Sequence, residues 1–157
     1  ATTEIYTLSR HDALPICWAI ERMEEVIRGL PDGDPEEGLL AAAMRMHQED
    51  VEANRRIGAI GARLLGAPTS VITHCNAGAL ATGGYGTALG VVRSAFSAGL
   101  IDRVYADETR PWFQGSRLTA WELSRAGIPV TVMTEGSAAR RMSEGGVGWV
   151  VDRKSVV

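Results

Sequence analysis

Several protein classes are excluded by what this chain of 157 residues lacks. Cysteine occurs only at Cys17 and Cys75, and the pair has no metal-ligand spacing; such sparse use suits a cytoplasmic protein. No apolar run approaches the roughly 20 residues of a membrane-spanning helix, so no membrane partner is expected. The 16 basic residues against 19 acidic ones leave a formal charge of −3, without the basic footprint that nucleic acid requires. The N-terminus has no signal-peptide pattern. Internal repeats, low-complexity tracts and flexible interdomain linkers are also missing. The length fits one domain, and 45% hydrophobic residues is ordinary for a globular chain.

What is present divides into two grammars. The first half reads helical. Trp18, Ile20, Met23, Val26, Ile27 and Leu30 fall on one broad face, with Gly29 in the last turn before Pro31. Pro31-Asp32-Gly33-Asp34-Pro35 reads as a turn. A long helix is expected from Glu36 to Leu65, with Leu40, Met44, Val51, Gly58, Gly61 and Leu65 along a packing stripe. His47 falls on the same pattern and reads as a packing residue rather than a ligand. Gly58 and Gly61 cost helix propensity but permit close backbone approach.

From Ser70 the pattern alternates strand and helix. Strands are expected at Ser70–His74, Arg103–Ala106, Val130–Thr134 and Gly148–Val151. Helices are expected at Thr87–Ala98, Leu118–Ala126 and Ser137–Ser143, ended by Gly99, Gly127 and Gly145. This βαβαβαβ order predicts an α/β fold with a parallel sheet and right-handed crossovers.

The run Val71-Ile72-Thr73-His74-Cys75-Asn76-Ala77-Gly78 delivers a thiol to the C-terminal edge of the first strand, where α/β sheets bind ligands. A thiol near backbone N–H groups and a helix start is suited to reactivity; the alternative is a small buried hydrophobe. His74 is adjacent, and neighbours on a strand point to opposite faces, so a Cys–His dyad is not expected. Asn76, Ala77 and Gly78 are candidates for backbone N–H donors near a ligand or for turn residues. Gly84-Tyr85-Gly86-Thr87-Ala88-Leu89-Gly90 is GxGxxxG rather than GxGxxG. Asp107 stands where a ribose-binding acid would, about 20 residues on, but the glycines begin well after the strand end. That register argues against a nicotinamide site.

Three motifs in order carry a resemblance. They are Thr73-His74-Cys75-Asn76-Ala77-Gly78-Ala79-Leu80-Ala81-Thr82 running on to Gly84-Tyr85-Gly86-Thr87, then Asp107-Glu108-Thr109-Arg110-Pro111, then Gln114-Gly115 with Arg117-Leu118-Thr119-Ala120-Trp121-Glu122-Leu123. Together, over about Trp18 to Val151, they resemble methylthioribose-1-phosphate isomerases, the aldose–ketose isomerases of methionine salvage. Ribose-1,5-bisphosphate isomerases and regulatory subunits of the eukaryotic translation-initiation nucleotide-exchange factor are related alternatives, the latter being binding proteins. The resemblance implies a helical N-terminal region at 17–69 and a partial Rossmann-like sheet of about four strands at 70–151. It implies a sugar-phosphate substrate, no metal or nicotinamide cofactor, and homodimers in the full-length family.

Cys75 matches the family's catalytic cysteine and Gln114 a substrate-binding glutamine, whose amide can donate to and accept from hydroxyls or phosphate. Arg110 is the best remaining cation for an anionic ligand; the alternative is an internal pair with Asp107 or Glu108. The family's catalytic aspartate, in a Gly-Ala-Asp-Arg segment, would lie beyond the fourth strand. Its upstream arginine elements have no match either, so this chain by itself is expected to be inactive and to expose apolar surface.

Both ends read as foreign. Residues Tyr6 to Ile16 resemble a translated sequencing adapter with Arg10 as the one mismatch. His11-Asp12-Ala13-Leu14-Pro15-Ile16 can be coded by the reverse complement of a sequence encoding Asp152-Arg153-Lys154-Ser155-Val156-Val157. Residues 1–16 and 152–157 are therefore expected to be non-native additions. Cys17, at the junction, receives no role.

Overall fold

The computed structural model describes residues 10–30 and 34–153, with side chains from residue 16 onward. The chain divides into two compact units, Ala1–His47 and Gln48–Val157.

In the first unit, α1 (Arg10–Gly29) precedes the opening turns of α2 (Glu36–Leu64). Arg10 to Ile16 of the adapter-like segment lies within the α1 backbone; residues 1–9 and 31–33, with most of the expected turn, fall outside the described residues. Asp34 accepts from the Glu36 N–H at 3.0 Å, satisfying an orphan donor at the start of α2. Glu36 and Glu37 in that first turn complement the positive end of the helix dipole. Leu30 lies so close to Gly38 that an added Cβ would come within 2.5 Å of its Cδ2. The broad face expected on α1 is narrower than its hydrophobic pattern. Met23, Val26 and Leu30 are half-buried, whereas Trp18, Ile20 and Ile27 are exposed. The period places Ile27 with Met23, Val26 and Leu30, at i+4, yet it stays exposed, because sharing a helix face does not by itself supply a covering element.

The expected α2 stripe likewise divides. Leu40 and Met44 are 59% and 65% exposed, and His47 is exposed rather than packed. Ala42 is buried early in the helix, and from Asn54 onward burial recurs through Asn54, Gly58, Ala62 and, just past its end, Leu65. Gly58 permits this: a Cβ there would stand 2.7 Å from the Gly90 carbonyl oxygen of the next helix.

The second unit is a four-stranded, wholly parallel sheet in the order β3-β2-β1-β4. The strands are β1 (Thr69–Thr73), β2 (Ile101–Asp107), β3 (Val130–Met133) and β4 (Val147–Val150). The crossovers carry α3 (Ala88–Ser97), α4 (Ala120–Arg125) and α5 (Ala138–Ser143). Gly99, Gly127 and Gly145 follow them with φ of 71°, 71° and 81°, the left-handed caps their positions predict. The core joins Ala62 and Leu65, Val71 of β1, Leu89, Val92 and Ala95 of α3, Ile101 and Val104 of β2, and Leu123 and Ile128. Val71, Ile72 and Thr73 are all buried, because β1 is central and covered on both faces. On the face opposite Val104, the Arg141 guanidinium of α5 lies over the Tyr105 ring, 5.1 Å from its centroid. The edge strands leave Val132, Trp149 and Val150 exposed, the apolar surface that the sequence predicts.

Among the described residues Gly115 is the most tightly held glycine. A Cβ there would stand 1.6 Å from the Asp107 carbonyl oxygen, whereas one at Gly136 meets nothing within 4 Å. Gly115→Ala is expected to destabilise the second unit by more than about 3 kcal/mol, and Gly136→Ala by no more than about 0.5 kcal/mol in either direction. Urea denaturation midpoints of the two variants measure the contrast.

Candidate active site

All four strands run parallel, so the residues following them share one edge. The chain adds β2 and β3 on one side of β1, then returns to place β4 on the other. The reversal makes the carboxyl end of β1 a topological switch point, the usual ligand crevice of open α/β sheets. Cys75 stands two residues past that end, half-buried.

Its backbone is left-handed, with φ of 58°, a conformation uncommon for a residue bearing a Cβ. Two threonines hold it there. The Cys75 N–H donates to Thr109 Oγ1 at 2.8 Å, and Thr119 Oγ1 donates to the Cys75 carbonyl at 2.5 Å. Thr109 is itself left-handed, with φ of 59°, and its hydroxyl donates to the Asp107 carbonyl at 3.1 Å. Backbone strain of this kind persists only where the surroundings over-determine it, and it concentrates at functional sites. The strand therefore ends before Cys75, and the side-chain direction of the thiol is set by this turn rather than by strand alternation.

Glu122 of α4 holds the loop that follows. It is 3% exposed, and the hydrogen bonds to its carboxylate come from outside α4. Oε1 accepts from Asn76 Nδ2 at 3.1 Å and the Leu80 N–H at 3.2 Å; Oε2 accepts from the Ala79 N–H at 2.9 Å and Arg93 Nη2 at 3.0 Å. A buried carboxylate is tolerable only when paired and hydrogen-bonded in this way. Gly78 makes room for it, since a Cβ there would lie 2.4 Å from Oε1. Gly86, with φ of 87°, packs on the Gly78 backbone, so the glycine cluster serves loop packing. Two of the backbone donors in this loop, at Ala79 and Leu80, are thus already occupied.

Beside Cys75, His74 Nδ1 lies 3.2 Å from Asp107 Oδ2. Burial pushes the Asp107 carboxyl above its ordinary 3.8, against the opposing pull of the His74 hydrogen bond and charge; Glu135 and Asp152 add to the rise. Asp107 therefore belongs to His74 rather than to a ribose. Glu135, just after β3, accepts from the Arg110 N–H, which with the Arg110 and His74 charges holds its carboxyl below the usual range.

Of the three residues singled out by sequence, Cys75 and Gln114 are brought to this edge. Gln114 immediately precedes Gly115, which abuts the Asp107 carbonyl, and its Oε1 is buried without a hydrogen-bond partner. Arg110 takes the internal alternative: its Nε lies 2.6 Å from Glu108 Oε1, and its exposed guanidinium covers the Phe113 ring. Sequence reasoning missed Thr109, Thr119 and Glu122 as the clamp. Thr119 and Glu122 are spaced i, i+3, on one helix face, and that was the only signal available. Among the described residues, no three His, Cys, Asp or Glu side chains gather as a metal set.

Glu122→Ala is expected to cost about 3 kcal/mol, because it removes the partner of the half-buried Arg93 guanidinium and of three further donors. Chemical denaturation measures it. The native state keeps the Asp107 proton at pH values where the unfolded chain has lost it. The Asp107 contribution to stability is therefore greatest below 3.8 and falls as pH rises through its raised native value. Subtracting the pH–stability curve of Asp107→Asn from that of the parent isolates this term, which must decline across the window and be flat above it.

Residues 2–151 match the model of the Initiation factor 2 subunit family. Methylthioribose-1-phosphate isomerase of Nitrosococcus oceani is 51% identical over 144 residues, covering 91% of this chain and 41% of that protein. The Thioalkalivibrio sulfidiphilus protein of the same name is 55% identical over 143 residues, with 91% and 41% covered. The crystal structure of 5-methylthioribose 1-phosphate isomerase from Pyrococcus horikoshii superposes with a TM-score of 0.81 at 36% identity, covering 95% of this chain and 42% of its own. The Archaeoglobus structure described as translation initiation factor eIF-2B, subunit delta, from A. fulgidus gives 0.79 at 46% identity, over 91% and 42%. The chain thus spans about 41% of the length of the curated relatives it matches. With the family model running through both units and the parallel sheet shared with solved members, the chain belongs to the Initiation factor 2 subunit family.

Proposed function

We propose that this chain carries the cysteine-bearing part of an aldose–ketose isomerase site that converts 5-methylthioribose 1-phosphate to 5-methylthioribulose 1-phosphate. The observation that carries the reading is Cys75, held at the topological switch point in a left-handed turn by Thr109 and Thr119. The curated relatives at 51% and 55% identity bear the isomerase name.

The chemistry asks for little beyond positioned proton carriers. The ring C1–O bond breaks as the ring oxygen takes a proton from an acid. A base then removes the C2 proton, giving an enol between C1 and C2. C1 gains a proton and the C2 hydroxyl loses one, leaving the ketone. Two protons are delivered and two removed, so the substrate and product are isomers. A thiol–thiolate pair suits the carbon-centred transfer, because its pKa lies nearer neutrality than that of a carboxyl. Gln114 Oε1, buried and unpartnered, suits a substrate hydroxyl.

A second reading is favoured by one observation. The A. fulgidus structure, described as an initiation-factor subunit, matches at 46% identity, which points to ligand binding without turnover. Exchange of the C2 proton with solvent deuterium discriminates the two: the isomerase exchanges it and the binding protein does not.

The two free thiols give an internal control, Cys17 being exposed and Cys75 half-buried. Added 5-methylthioribose 1-phosphate is expected to slow alkylation of Cys75 about tenfold when present near ten times its Kd, leaving Cys17 unchanged. Peptide mapping by mass spectrometry reads both. Equal rates at Cys75 with and without the ligand would sink the reading.

A further inference from the structure

Resting on the sugar-phosphate reading, we propose that His74, oriented by Asp107, receives a hydroxyl of the sugar and that this corner of the site excludes the phosphate. The argument is one of donors and acceptors. Where neutral His74 donates through Nδ1 to Asp107 Oδ2, at 3.2 Å, its Nε2 becomes an acceptor. The imidazole side chain is 38% exposed, whereas the Asp107 side chain that orients it is 9% exposed.

The turn after β1, the end of β2 and the segment beyond it carry further acceptors that have no partner. Asp107 Oδ1, Asn76 Oδ1 and Gln114 Oε1 are all buried and have no hydrogen-bond partner. They belong to one neighbourhood. Asn76 follows Cys75; Asp107 ends β2, beside His74; Gln114 precedes the glycine packed on the Asp107 carbonyl. Buried acceptors left unpaired are costly, and a group bearing hydroxyl donors relieves that cost. A phosphate dianion brings acceptor oxygens, which these atoms cannot satisfy.

Charge points the same way. Asp107 and Glu135 both interact with His74. The nearby Arg110 guanidinium is engaged by Glu108 at 2.6 Å. A dianion entering here would meet carboxylates, with its candidate cation already paired. The sugar's neutral hydroxyl edge fits, and its phosphate lies away from His74. This departs from the expectation that Arg110 receives the phosphate, and it adds His74 as a substrate-touching residue.

Long-range 1H–15N spectra of the imidazole test the idea on the whole chain, with 5-methylthioribose and inorganic phosphate as separate probes. Methylthioribose is expected to move the His74 Nε2 resonance, and inorganic phosphate is expected to leave it in place. His74→Ala should weaken methylthioribose binding about fivefold, and Asp107→Asn should weaken it in the same direction. If His74→Ala does not fold, the parent spectrum decides alone. Movement of Nε2 by inorganic phosphate overturns the proposal. So does methylthioribose binding that shifts Gln114 and Cys75 but not His74, an outcome that leaves the isomerase reading standing. If 5-methylthioribose 1-phosphate shifts none of these three residues, that reading falls and this inference with it.

Discussion

The buried carboxylate of Glu122 is the constraint on which the rest of the candidate site depends. A carboxylate this deep is stable only because α3 supplies Arg93 and the loop after β1 supplies Asn76 and the N–H groups of Ala79 and Leu80. Those partners come from two stretches of chain remote from α4. Satisfying one buried charge therefore fixes two helices and a loop with respect to one another. Gly78 is part of the same requirement, since a side chain there would occupy the volume of the Glu122 carboxylate.

From that anchor the geometry passes to Cys75. Asn76 bonds both Glu122 and Thr119, and Thr119 in turn accepts Asn76 while donating to the Cys75 carbonyl. Thr109 holds the other side of the same residue, through its N–H. The thiol thus sits on a strained turn whose two flanking polar groups are both spoken for, which leaves the side chain as the free chemical group. Preorganisation of this kind suits a residue that must meet a reacting carbon at a set position. The same turn ends β1 early, and His74 takes Asp107 as its partner.

The alternation of strands and helices was legible because each element repeats its own period. Strands of four to seven residues, each carrying Val or Ile, form β1 to β4, and glycines at 99, 127 and 145 stop the helices with the left-handed caps they favour. Burial was less legible. Leu40, Met44, Trp18 and Ile27 carry the helical pattern yet remain exposed, because a period says which residues share a face and not whether another element covers it. Arg110 shows the same gap for charge: a cation beside two acids in sequence gave two equal readings, and only the spatial structure identifies Glu108 as the acid it meets.

The sequence by itself determined the α/β class, the element order, and the placement of Cys75 at the end of the first strand, since these rest on local propensity and on motifs contiguous in the chain. Tertiary structure alone decided the strand order that makes this end a switch point. It also decided the clamp on Cys75 by threonines 34 and 44 residues away, and the pairing of His74 with an aspartate 33 residues on. Such contacts join residues remote in sequence, and hydrogen bonds of this kind depend on distance and angle to a few tenths of an ångström, which no pattern of residue types encodes.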